Sequence, residues 1–134
     1  MLPDALKETI LQLWPQAVVL SDDLHAHPEL GHEEFHASQT MVDLLRKAGY
    51  QVEYPYLDYP TGFRGVLKTG EGPSVALLVE YDALPVVGHA CGHNVHGSMS
   101  ILAAMALAQH KELFQGTLYV VGTPAEETAG AKVG

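Results

Sequence analysis

The chain has a single cysteine among its 134 residues. No internal disulfide can form, so packing alone must hold the fold. A lone thiol suits a reducing compartment, and a cytoplasmic protein is expected. Basic residues are scarce: seven Lys and Arg against sixteen Asp and Glu give a net charge of -9. That deficit argues against nucleic acid and against an anionic membrane as partners. The acids are scattered along the chain, so most of them solvate the surface. No apolar run nears the roughly 20 residues of a membrane span. Met1-Leu2-Pro3-Asp4 lacks the basic start and apolar core of a secretory signal. Internal repeats and low-complexity tracts are missing too. Apolar residues are plentiful, at 47%, which is enough for the core of one domain of this length.

The pattern of those residues sets the elements. Leu6, Ile10, Leu13, Ala17 and Leu20 recur at helical spacing and predict a helix over about 4–26, with Pro15 as a break or kink. A second amphipathic helix is predicted over 33–48, with Phe35, Met41, Leu44, Leu45 and Ala48 on one side. It ends in Arg46, Lys47 and then Gly49. Tyr50–Tyr54 and Phe63–Lys68 read as strands. Val75–Val79 is a continuous apolar run expected of a buried central strand, and Gly70-Glu71-Gly72-Pro73 reads as a hairpin turn before it. Val95–His110 reads as a third helix whose small residues suit close packing on a sheet. Thr117–Val121 is the next strand, and 122–134 is loop. The order α-α-β-β-β-α-β predicts an α/β three-layer sandwich with a mixed, partly parallel sheet flanked by helices. Val75–Val79 and Thr117–Val121 are joined through a helix and should be parallel, with their C-terminal ends at one edge. Ligand sites of open α/β sheets gather at such an edge.

The chemistry-bearing residues fall at that edge. Gly88-His89-Ala90-Cys91-Gly92-His93-Asn94-Val95-His96-Gly97 holds the cysteine and three of the eight histidines. Pro124-Ala125-Glu126-Glu127 adds two adjacent carboxylates. Thiolate, imidazole and carboxylate are the donors of a zinc-like ion, and adjacent acids let one bind metal while the other moves protons. Cys91 and His93, two apart on an extended stretch, could reach one ion. They could equally be a buried thiol beside a hydrogen-bonded imidazole. Glu126 and Glu127 could serve a site or lie in a solvated turn. Asp82 could orient a ligand histidine or cap a turn, and Glu80 would stand behind it at the strand end. His25 and His27 have the spacing of a metal pair but also end a helix, where imidazolium suits the dipole. His89, Asn94 and His96 are candidates for contact with a substrate oxygen. His32, His36 and His110 read as surface residues.

Taken together these motifs resemble the M20 metallopeptidase family, in its amidohydrolase branch of aminoacylase-like, hippurate hydrolase-like and aminobenzoyl-glutamate hydrolase-like enzymes. The matching segments are Leu24-His25-Ala26-His27-Pro28-Glu29-Leu30-Gly31, Glu80-Tyr81-Asp82-Ala83-Leu84-Pro85, Gly88-His89-Ala90-Cys91-Gly92-His93-Asn94 and Pro124-Ala125-Glu126-Glu127. The resemblance implies that Cys91, His93 and Glu127 are metal ligands, the thiolate bridging two ions. It makes Glu126 the general base, with Asp82 as a catalytic residue at the site's edge. Asn94 stands where many relatives carry an aspartate. The implied cofactors are divalent ions, zinc or manganese, two per complete site. The implied substrate is a small N-acyl amino acid or dipeptide-like molecule, and a homo-oligomer is expected. Relatives are longer, so residues 1–134 are expected to be the N-terminal portion of a catalytic domain. The dimerisation domain and C-terminal catalytic segment would be absent, and with them part of the metal site. Two rivals stand beside this reading: a folded but inactive remnant, and a cysteine hydrolase using Cys91 and His93, which leaves the acidic pair without a role.

Overall fold

A computed structural model describes residues 2–125. Glu126 and Glu127 lie outside the described residues. The order is α1 (Asp4–Ala26), α2 (Phe35–Ala48), β1 (Gln51–Glu53), β2 (Phe63–Lys68), β3 (Ser74–Val79), α3 (His93–Ala108), a 3-10 turn at Lys111–Leu113, and β4 (Thr117–Gly122).

α1 buries Leu6, Leu13, Ala17, Leu20 and Leu24, the stripe its period predicts. Pro15 does not break it. The proline is exposed, so the Leu11 carbonyl that loses its helical partner faces solvent. α2 begins two residues later than expected and buries Ala37, Ser38, Met41, Val42 and Leu45. Phe35, at the helix start, points outward and is 55% exposed. Gly49 ends α2 in the left-handed region, at φ 110°, and donates its N–H to the carbonyls of Arg46 and Leu45.

The four strands run in the order β1-β2-β4-β3, so the sheet is mixed and flanked by helices. β3 and β4 are parallel, with Val75 opposite Leu118 and Val79 opposite Gly122. β4 also pairs antiparallel with β2. Two expectations fail here for one reason: β4 occupies the place beside β2 that a hairpin would give to β3. Gly70–Pro73 is therefore a bridge past the start of β4, whose Thr117 N–H donates to the Pro73 carbonyl at 3.1 Å. β3 then lies at the sheet edge among the described residues, with Val75 and Leu78 exposed.

The core joins Leu24, Met41, Val42 and Leu45 of α1 and α2 to Phe63, Val79, Ile101, Ala104 and Val120. Two polar ties lock α3 and its C-terminal flank in place. The Tyr50 hydroxyl donates to the Ala104 carbonyl at 2.7 Å, and Thr9 Oγ1 lies 2.6 Å from His110 Nε2. His110 is thus an internal tie, not the free surface residue its sequence context suggests.

Candidate metal centre at the end of the parallel strands

β3 ends at Val79, and the next residues build the floor of the site. Tyr81 is fully buried and stacks on Phe63 with ring centroids 5.8 Å apart. That anchor turns Asp82, 1% exposed, inward. Thr123 ties the end of β4 to the same point, its N–H and hydroxyl both donating to the Val79 carbonyl. The strand leading toward Glu126 and Glu127 therefore leaves the sheet beside Glu80 and Asp82.

α3 starts at the other side of this floor, two residues earlier than predicted. Gly92 sits in the left-handed region at φ 79° and turns the chain into the helix, so His93 is the first helical residue. Cys91 and His93 consequently do not share one extended stretch, and a turn separates an exposed thiol from a buried imidazole. His93 Nδ1 donates to Asp82 Oδ1 at 2.9 Å, and Nε2 lies 3.2 Å from Glu80 Oε2. With Nδ1 facing Asp82 and Nε2 facing Glu80, the imidazole lies between two carboxylates. A cation suits the space beside those carboxylates.

His89 supplies a second observation of the same kind. Its Nδ1 is buried without a hydrogen-bond partner among the described residues. Burial first, and then the neighbouring His93 and His25 rings, hold its pKa below the usual histidine value. Beside it a cleft of ≈ 320 Å³ is lined by His25, Pro28, Leu30, Leu84, Val87 and His89. Thiol, imidazole and carboxylate are donor types that suit a divalent transition ion, but among the described residues Cys91, His89 and His93 do not close a compact three-donor cluster.

Two other candidates turn elsewhere. Asn94 is buried, but its amide donates to Ser21 Oγ of α1 at 3.2 Å, joining helices. His96 Nδ1 accepts the Glu80 N–H at 3.3 Å and steadies the strand end. Sequence reasoning missed two acids. Glu29 accepts the N–H groups of His36 and Ala37 and so caps the start of α2, while its carbonyl accepts the Ala83 N–H at 2.7 Å. Glu34 is fully buried and accepts from the Thr61 hydroxyl at 2.8 Å and the Ala125 N–H at 2.7 Å. Burial pushes its carboxyl above the usual range, the two donors oppose that rise, and the charge of Asp82 adds to it. The Leu-His-x-x-Pro-Glu segment could have pointed to Glu29 as a cap. Nothing local pointed to Glu34.

Peptidase family M20/M25/M40 matches residues 76–133, a stretch that runs from β3 through the thiol-histidine loop to the acidic pair. The IAA-amino acid hydrolase ILR1-like 4 of Arabidopsis thaliana is 39% identical over 80% of the chain and 27% of its own length. The fold matches a dinuclear metal-binding peptidase of the M20 family from Bacillus subtilis, with TM-score 0.76 and 29% identity, over 84% of this chain and 35% of that one. Sequence over residues 76–133 and fold along the chain resemble those of M20 peptidases. The aminobenzoyl-glutamate utilization protein of Klebsiella pneumoniae, at TM-score 0.82 and 25% identity, matches over 96% of this chain and 42% of its own. The relatives are named as hydrolases and peptidases. The chain spans about a third of the length of the curated relatives it matches. Among the described residues no helix is long and apolar enough to cross a membrane.

Proposed function

We propose that the chain supplies part of a two-metal hydrolase site that cleaves the amide bond of an N-acyl or N-aroyl amino acid. The observation that supports this most is His93, placed by Asp82 at the C-terminal end of a parallel strand pair with Nε2 directed beside Glu80. The names of the relatives support the substrate class: one acts on an amino-acid conjugate, and one is a dinuclear peptidase. In this reading Cys91, His93 and Glu127 hold zinc or manganese. When bound, the ions supply Lewis acidity to the scissile carbonyl and acidify a nearby water.

The chain's own residues divide the remaining work. Asp82 keeps the Nδ1 proton on His93, which fixes the tautomer and presents Nε2 as a donor. Glu126 takes a proton from the attacking water while the water oxygen bonds to the carbonyl carbon. The C–N bond then breaks, and Glu126 returns the proton to the leaving amine. Glu34 accepts the Ala125 N–H and so steadies the approach to Glu126. The cleft beside His89 is the place for the acyl group.

Elemental analysis of metal-loaded protein tests the ligand set. Cys91→Ser should lower bound metal, because an alcohol is a poorer ligand than a thiolate for a borderline-soft ion. Glu127→Gln should also lower it. Glu126→Gln should keep the metal and, where turnover is measurable, cost at least about a hundredfold, the usual scale for a general base. Unchanged metal in Cys91→Ser would remove the thiolate from the site, and equal metal loss in both glutamate variants would end their separate roles.

A further inference from the structure

A second set of metal-type donors lies where α1 gives way to α2. Asp23 and His27 stand one turn apart at the end of α1, and His36 lies in the first turn of α2. Asp23 Oδ1 is 3.2 Å from His27 Nδ1, and its Oδ2 is 2.7 Å from His36 Nε2. The two imidazole centroids are 4.9 Å apart. One donor atom from each of the three residues lies within 4.8 Å of the other two. These donors sit on fixed backbone. The His27 N–H bonds the carbonyls of Asp23 and Leu24, closing α1, and the His36 N–H is held by the Glu29 carboxylate at 2.9 Å. His27 Nδ1 also lies 3.0 Å from the Asp23 carbonyl oxygen, so an ion would replace the ring hydrogen bonds to Asp23 while the helix ends stay in place.

We propose that Asp23, His27 and His36 form a surface site for a borderline divalent ion, with zinc as the natural occupant. Two imidazoles and one carboxylate are a donor set that zinc accepts, and their combined charge of -1 favours a dication. The side chains of His27 and His36 are 60% and 46% exposed, so water can complete the tetrahedron. Held by an ion, the three residues would pin the end of α1 to the start of α2 across the 28–34 loop. That loop carries Glu29, whose carbonyl accepts the Ala83 N–H next to Asp82. The ion would therefore brace the floor of the site without touching it. None of this depends on the hydrolase reading.

The test uses the 1–134 chain, stripped with chelator and then titrated with zinc alone. Cys91→Ser should still bind an ion that is lost when His27→Ala and His36→Ala are added to it. In the wild type, the ring nitrogens of His27 and His36 should shift on zinc addition in proton–nitrogen correlation spectra. The two side chains are 60% and 46% exposed, so the substitutions remove little packing. Should the combined variant fail to fold, the ring-nitrogen shifts of the wild type decide alone. Equal zinc bound with and without the two histidines, or ring nitrogens that stay put at saturating zinc, would overturn the site. Equal zinc in the wild type and Cys91→Ser, with the ion that depends on His27 and His36 present in both, would count against the hydrolase reading and leave this site standing.

Discussion

At the scale of single residues, the least legible part of the site is a buried acid. Cys91 and His93 announce themselves by spacing and residue type. Glu34 does not: its partners Thr61 and Ala125 are 27 and 91 positions away, and only folding brings them together. Its chemistry gives a pH-dependent expectation. The folded-state pKa is raised above 4.5, chiefly by burial. Its contribution to stability is thus fully present below the unfolded-state pKa and is lost as pH rises through the folded value. Glu34→Gln removes that titration. It also turns an amide N–H toward the Ala125 N–H or the Thr61 hydroxyl, leaving a buried donor unpaired at about 1–3 kcal/mol. The variant should be less stable than the wild type, and the gap should be widest in acid and narrow toward neutral pH. Urea unfolding from pH 4 to pH 8 measures it, and a gap that widens with pH would contradict the assignment.

At the scale of elements, helices were more legible than strands, and the reason is physical. A helix shows its buried face in its own period, which is why Leu6, Leu13, Ala17 and Leu20 could be read directly. The burial of a strand depends on neighbours set by topology, and no local pattern shows them. The parallel pairing of β3 and β4 followed from the crossover, but the insertion of β4 between β2 and β3 did not. The close seat of α3 is a case where residue size was the signal. A Cβ added at Gly97 would lie 2.6 Å from the Glu80 carbonyl oxygen and 2.7 Å from Met41 Cε. Met41 can yield, but the Glu80 backbone cannot. Alanine gains up to about 1 kcal/mol in helix propensity over glycine, whereas overpacking costs about 1–3 kcal/mol. Gly97→Ala should therefore destabilise on balance. It should also push α3 off Glu80, weakening the approach of His93 one turn earlier. A lower urea midpoint together with reduced metal binding is the expected pair of results. A stabilised variant with undiminished metal would mean that α3 has room to spare.

At the scale of the whole molecule, the exposed edge decides behaviour in solution. Among the described residues β3 closes the sheet, and its sequence Ser74-Val75-Ala76-Leu77-Leu78-Val79 contains neither a charge nor a proline. Natural edges are usually blunted by such residues, because an unpaired row of N–H and C=O groups accepts another strand. Val75 is 58% exposed and Leu78 46%, and they project from opposite faces of the strand. Val75 also borders an apolar hollow of ≈ 390 Å³ lined by Leu6, Leu107, Leu113, Phe114 and Leu118. A second copy pairing along β3 would satisfy the backbone and cover apolar surface on both sides at once. The net charge of -9 opposes this, but the acids are spread along the chain and screened beyond about 8 Å at physiological salt. Contact between edges should win over that diffuse repulsion, so residues 1–134 are expected to form dimers or larger species. Leu78→Lys places a charge in the contact and, at an already exposed position, removes little core. It should shift the population toward monomer in sedimentation velocity. A wild-type chain that sediments as a monomer at tens of micromolar, or a lysine variant that associates as strongly, would show that β3 is not the sticky edge.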